Sequence, residues 1–181
     1  EAARLTKMVE GLLEFTRIED GRFNLTLERI DVAAELEEAI FTYGELLRQE
    51  GIHLEYYPDY EDLPMIEADP ERLRQVFLNI LDNAAKYGRD GRRIIVRLER
   101  SGDYVKISVH NFGPGIPEDE LPHVKQKFYK GSSKERGSGI GLAVCDEIVA
   151  RHKGLLDIEN APEGGVLVTV RLPIGDENAI S

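Results

Sequence analysis

Asn79 and Asn83 lie four residues apart in a stretch of helical periodicity, so their carboxamides share one flank, which Lys86 and Tyr87 continue. Asparagine is a mediocre helix former. Two in register, opposite an apolar stripe, suggest a polar cleft. A carboxamide oxygen is a hard, neutral ligand suited to Mg²⁺, an ion that keeps several waters and bridges to phosphates. Lys86 offers a phosphate a point charge. Tyr87 offers a flat ring an aromatic face. A solvated polar face with one ordinary tyrosine explains this helix equally well.

Two glycine loops add to it. Gly113-Pro114-Gly115-Ile116 follows an alternating apolar segment, and its glycines allow the backbone to approach a flat ligand or to turn at positive φ. Alone, it is better explained as an ordinary tight loop. The run Gly137-Ser138-Gly139-Ile140-Gly141-Leu142 is stronger, because glycines at spacing two ahead of an apolar helix expose N–H groups at the helix N-terminus, a ready anion site. No Gly-Lys-Ser/Thr follows, so it is not a P-loop, and the third glycine comes one residue early for the dinucleotide fingerprint. Between the loops, Lys125, Lys127, Lys130, Lys134 and Arg136 reverse the charge of an acidic chain. They read as a solvated loop or, more sharply, as a mobile phosphate-seeking lid hinged on the glycines.

These groups need elements to position them. Leu73, Val76, Phe77, Ile80, Leu81 and Ala84 give the 69–87 helix one core-facing stripe, opened by Asp69 as N-cap and Pro70 in the first turn. Helices are also predicted over 1–19, over 32–48 behind Asp31, and over about 138–152, stopped by Gly154. Strands are predicted over 23–29, 53–57, 65–67, 93–99, 104–110, 155–159 and 166–172, with 117–136 polar and loop-like. The order is not βαβ alternation, which disfavours a doubly wound parallel sheet. The expected fold class is α+β: a two-layer α/β sandwich whose mixed, mostly antiparallel sheet of about five strands is covered on one face by about three helices, with an N-terminal helix fragment.

Composition narrows the function classes. The 181 residues suffice for one well-cored domain with a short appendage. With 41% hydrophobic and 31% charged residues the chain reads as soluble and globular, and its formal charge of -11 argues against a nucleic-acid binder. The single cysteine, Cys145, cannot form an internal disulfide and reads as a buried small hydrophobe. His53, His110, His123 and His152 lack metal-like spacing. No apolar run approaches about 20 residues, and no signal-peptide pattern is visible. A start in mid-helix without a Met reads as a piece of a longer protein.

In this order, the Asn helix, Gly-x-Gly loop, basic segment and second glycine loop resemble the catalytic, ATP-binding domain of bacterial sensor histidine kinases, of the GHKL superfamily. The resemblance covers about residues 22 to 173. Leu78 to Tyr87 looks like the family's N box, which implies Asn83 as the Mg²⁺ ligand, Asn79 and Lys86 along the phosphates, and Tyr87 on adenine. Asn111-Phe112-Gly113-Pro114-Gly115-Ile116 looks like the first glycine box and Lys127-Phe128-Tyr129-Lys130 like the F box, with Phe128 as its aromatic anchor. Gly137, Ser138, Gly139, Ile140, Gly141 and Leu142 look like the second glycine box, cradling the phosphates. His152-Lys153-Gly154 resembles a turn common after that helix. The resemblance gives Asn79 and Lys130 catalytic roles. Two departures stand out. The first glycine box normally opens with Asp, which accepts a hydrogen bond from the adenine amino group; here Asn111 has an oxygen that can accept it without charge assistance. Binding is then expected to survive, weaker or less adenine-selective. Lys130 stands where the F box often has Arg, keeping the charge but not the fork.

The resemblance further implies three segments: 1–21 as the end of the second helix of a dimerisation and phosphoacceptor domain, 22–174 as the catalytic ATP-binding domain, and 175–181 as a tail. It implies ATP and Mg²⁺ as ligands, a phosphoacceptor histidine domain of the same dimeric kinase, a downstream response regulator, and a cytoplasmic setting within a membrane-bound sensor. None of the four histidines lies in an acceptor pattern. Two alternatives are a gyrase-like or Hsp90-like ATPase and a degenerate nucleotide-binding module. The first normally places a water-activating Glu where Asn79 stands.

Overall fold

The computed structural model describes residues 24–125 and 141–175. Their elements are strand β1 (Glu28–Ile30), helix α1 (Val32–Gln49), strands β2 (His53–Pro58) and β3 (Ile66–Ala68), helix α2 (Pro70–Tyr87), strands β4 (Arg93–Ser101) and β5 (Tyr104–Asn111), helix α3 (Gly141–Arg151), and strands β6 (Leu155–Asn160) and β7 (Val166–Pro173). The expected α+β sandwich is what forms. A five-stranded sheet runs in the order β2-β4-β5-β7-β6, antiparallel except for the β2–β4 pair, and β1 pairs with β3 separately. Alternation in the strands sends one face inward: Val96 opposes Val109, which opposes Val168, while Leu98 opposes Ile107, which opposes Val170. These residues form one core with Leu36 and Leu47 of α1, Leu73, Phe77 and Leu81 of α2, and Ile148 of α3.

Several details differ from expectation. The strand predicted over 23–29 begins only at Glu28, because its sole partner, β3, offers three residues to pair with. The strand predicted over 65–67 is shifted by one, to Ile66–Ala68, where Ile66 and Ala68 alternate inward. Within the loop-like 117–136 segment, Leu121–His123 forms one 3-10 turn. The predicted 1–19 helix and residues 138–140 of the predicted third helix lie outside the described residues, as does the 176–181 tail.

The relation between α2 and α3 positions everything else. Asp69 caps α2, accepting from Arg72 N–H at 3.2 Å with one oxygen and from Thr26 N–H at 2.9 Å with the other. Its own N–H donates to His152 Nε2 at 3.0 Å, and His152 Nδ1 donates to Ile148 O at 2.8 Å. The imidazole therefore carries its proton on Nδ1 and joins the end of α3 to the start of α2. About two turns back along α3, the Cys145 thiol reaches Val76 O at 3.8 Å. The two helices thus run antiparallel, and the same register sets the Gly141 end of α3 opposite about Ile80, between Asn79 and Asn83 of α2. Removing the imidazole leaves the Asp69 N–H and the Ile148 end of α3 unjoined inside the core. His152→Ala is expected to lower unfolding free energy by about 2 kcal/mol or more, read as a shift of the urea midpoint at unchanged m-value.

Candidate functional site

At this end of the helix layer, α2 presents its polar flank. Asn79, Asn83, Lys86 and Tyr87 are all half-buried. Asn79 faces α3, where its carboxamide hydrogen-bonds the Cys145 thiol. Burial pushes that fully enclosed thiol up to about 12, an effect the Asn79 bond only partly offsets. Cys145 is thus a neutral packing residue, as its apolar neighbours implied. Lys86 pairs with Asp82 one turn earlier, Nζ to Oδ2 at 2.9 Å, and Asp82 takes the Tyr43 hydroxyl of α1 on its other oxygen. Burial, then that bond to Asp82, holds the Tyr43 phenol above its ordinary range. Lys86 is therefore anchored through α2 to α1 rather than extended alone into the cleft. An ammonium has three donors, so the pair leaves capacity for a phosphate.

The loop after β5 is built against the end of α2. A Cβ on Gly113 would sit 2.2 Å from Tyr87 O, and Gly165, at φ +80, brings the β6–β7 turn against the Asn111 carbonyl. Glycine is required at 113 because backbone meets backbone there. Gly113 and Gly115 do not adopt positive φ, so the turn expected of them is not what they supply. Gly115 lies against Asn160, whose Oδ1 accepts from Ile116 N–H at 2.7 Å while its Nδ2 donates to Ile116 O at 2.7 Å. This two-point amide clasp fixes the loop to the end of β6. Asn160 is a residue that sequence reasoning missed, since an Asn ahead of a turn signals only the turn. Asn111, 4% exposed, turns into the helix layer, and its Oδ1 accepts from Gly113 N–H and Val166 N–H, each at 3.3 Å. The oxygen expected to accept from adenine is thus engaged by the backbone.

The expected basic lid is described only at its first member, and that member behaves otherwise. Lys125 donates to Leu156 O at 3.0 Å and lies 3.3 Å from Asp146 of α3, so it ties the loop to the body. Lys127, Phe128, Lys130, Lys134, Arg136, Gly137, Ser138, Gly139 and Ile140 lie outside the described residues. Gly141 opens α3 with nothing within 4 Å of its Cβ position among the described residues, and Leu142 follows half-buried. The structure therefore brings together the Asn79–Tyr87 flank, the Asn111–Ile116 loop and the start of α3.

This arrangement, a polar helix flank and the start of a second helix beside a backbone-packed loop, lies on the helix side of the two-layer sandwich. Residues 68–176 match a sequence family described as histidine kinase-, DNA gyrase B- and HSP90-like ATPase. The chain belongs to that family. It is 37% identical over 181 residues to the signal transduction histidine-protein kinase AfsQ2 of Streptomyces coelicolor, a match covering 96% of this chain and 31% of that protein. Among solved structures, ShkA in complex with AMPPNP superposes at TM-score 0.81 with 26% identity, over 93% of this chain and 35% of that one. ThkA in complex with the response regulator TrrA superposes at 0.78 with 26% identity, over 96% and 48%. The chain thus spans about a third to a half of each of these relatives.

The two kinds of glycine separate experimentally. Gly113→Ala is expected to cost about 2 kcal/mol or more, because the Tyr87 carbonyl cannot yield cheaply. Gly44→Ala, inside α1 with nothing within 4 Å among the described residues, is expected to stabilise by about 0.5–1 kcal/mol. Chemical denaturation of both variants checks the pair. The Cys145 thiol is expected to react with a thiol reagent only as fast as the core opens, measured as equal labelling and unfolding rates.

Proposed function

We propose that this chain is the ATP-binding catalytic part of a two-component sensor histidine kinase, and that it transfers the γ-phosphoryl group of ATP to an imidazole on a separate phosphoacceptor domain of the same dimeric kinase. The observation that carries this reading is the antiparallel register of α2 and α3, which sets the Gly141 end of α3 beside the Asn79–Asn83 stretch. An eleven-residue helix directs its N-terminal N–H groups and partial positive charge toward that flank. Asn83 then supplies the carboxamide oxygen for Mg²⁺, Asn79 lines the phosphates, and Lys86 meets them with the donors its Asp82 pair leaves over. Tyr87 and the Asn111–Ile116 loop border the base.

The residues suit such a ligand. Among the described residues no group of three or more His, Cys, Asp or Glu is arranged to hold a metal. One carboxamide holds Mg²⁺ only with help from phosphate oxygens and waters, so metal and nucleotide bind together. Bound Mg²⁺–ATP supplies the phosphoryl group and neutralises its developing charge. The chain's own part is positioning: α2 fixes the carboxamides, α3 aims N–H donors, and packing on the helix side excludes water. Two of the described histidines are enclosed and held by the fold. His152 is buried in the α2–α3 bond, and His110 packs on Phe112 with Nε2 2.8 Å from Gly164 O. The assignment of residues 1–21 to a dimerisation helix and of 22–174 to the catalytic domain belongs to the same reading. So do roles for Lys130, Phe128 and the glycines from Gly137 to Ile140. The ThkA–TrrA complex supports a response regulator as downstream partner. No helix among the described residues is long and apolar enough to cross a membrane, and we assign the chain to the cytoplasmic side of a membrane-bound sensor by likeness to sensor kinases.

Incubation with labelled Mg²⁺–ATP and a separately produced acceptor domain is expected to give acid-labile, base-stable phosphohistidine on that domain. Nucleotide binding without transfer to the cognate acceptor would refute kinase activity and leave a binding module. Asn83→Ala is expected to lose Mg²⁺-dependent nucleotide binding while unfolding cooperatively; unchanged affinity would refute the metal assignment.

A further inference from the structure

Asn111 ends β5, and its neighbours decide what its side chain can offer. The N–H groups of Gly113 and Val166 both approach its Oδ1 at 3.3 Å. An N–H can be met only by an acceptor, so the oxygen must face the backbone, and the chain itself dictates the orientation of the carboxamide. Flipping it would set Nδ2 against two donors. The backbone is packed closely around it: Gly88 approaches the Asn111 Cβ so nearly that a Cβ there would lie 2.5 Å away, and Gly165 lies against the Asn111 carbonyl. What remains is Nδ2, which meets no acceptor among the described residues. An aspartate here would keep one oxygen on the two N–H groups and offer a second acceptor outward. Asn111 offers a donor instead.

We propose that Asn111 opens the base pocket to 6-oxopurine nucleotides, so that ITP and GTP bind at least as tightly as ATP. This rests on the nucleotide-binding reading above. The 6-amino group of adenine is a donor and meets the Nδ2 donor. The 6-oxo group of hypoxanthine or guanine is an acceptor and satisfies it. Opposing two donors in a largely enclosed site costs more than losing one contact, which is why polar discrimination at such positions is large.

Isothermal titration of Mg²⁺–ATP, Mg²⁺–ITP and Mg²⁺–GTP into the native chain and Asn111→Asp tests this, since ITP differs from ATP only at the 6-position and the adjoining N1 proton. Native protein is expected to bind ITP no more weakly than ATP. In Asn111→Asp the ratio is expected to move toward ATP by about 10-fold or more. A clear preference of the native chain for ATP over ITP, or an unchanged ratio in the variant, overturns the proposal. If Asn111→Asp does not fold, the native ratio alone decides. If a cooperatively folded native chain binds none of the three, the nucleotide reading itself has failed, a result distinct from a wrong base preference.

Discussion

The buried bond from the Asp69 N–H to His152 is the constraint on which the rest of the molecule depends. It sets the register of α3 against α2, and that register decides which residues share a turn-level across the helix layer. A slip of one turn would carry the start of α3 about 5.4 Å along α2, away from the Asn79–Asn83 stretch. Cys145 at Val76 and Asn79 is the second point on the same line. Two fixed points along antiparallel helices leave little freedom for a third, and the third is the site. The core-facing stripe of α2 supplies the energy of packing, but oil-like contacts alone tolerate sliding, whereas a directional bond in a buried place does not.

The loop side of the site is held differently. There the backbones of Tyr87, Gly113, Asn111 and Gly165 touch with no side chains between. Such contacts allow no repacking, because nothing at them can change rotamer. Asn160 then clasps Ile116 through both of its amide atoms. The loop therefore moves with β6 and α2 as one piece. Charge plays a smaller part: Lys86–Asp82 and Lys125–Asp146 are partly exposed pairs that orient side chains more than they stabilise the fold.

Much of this is legible in the sequence. The apolar stripe of α2, its Asp-Pro opening and the alternation in β4, β5 and β7 state the elements plainly. The mixed order of those elements rules out the commonest parallel architecture. The Asn79–Asn83 spacing marks the flank of α2 on which the proposed site lies. What the sequence withholds is who faces whom. Nothing in Asn160 or His152 as letters distinguishes a clasp from a turn residue, because each works through a partner 44 or 83 positions away. Gly113 looks like a conformational glycine and is instead a packing one. Lys125 sits in a basic run but has an acidic partner on a helix 21 residues later. Asn111 is the sharpest case. Its residue type says that it can accept or donate, and only the backbone N–H groups around it decide which.

The sheet has a consequence for how the chain assembles. The β2–β4 pair is its one parallel pairing, and parallel neighbours need a crossover between them. That crossover contains β3 and the whole of α2. The edge therefore cannot close until the site-bearing helix has been laid across the sheet, and the loop it closes is long enough to make this a late step. Until then β4 presents an unpaired ladder through Ile94, Ile95 and Val96, the kind of edge that recruits other chains. A chain whose α2 is misplaced would carry that edge exposed. Assembly of the site and escape from aggregation are thus the same event on the folding path.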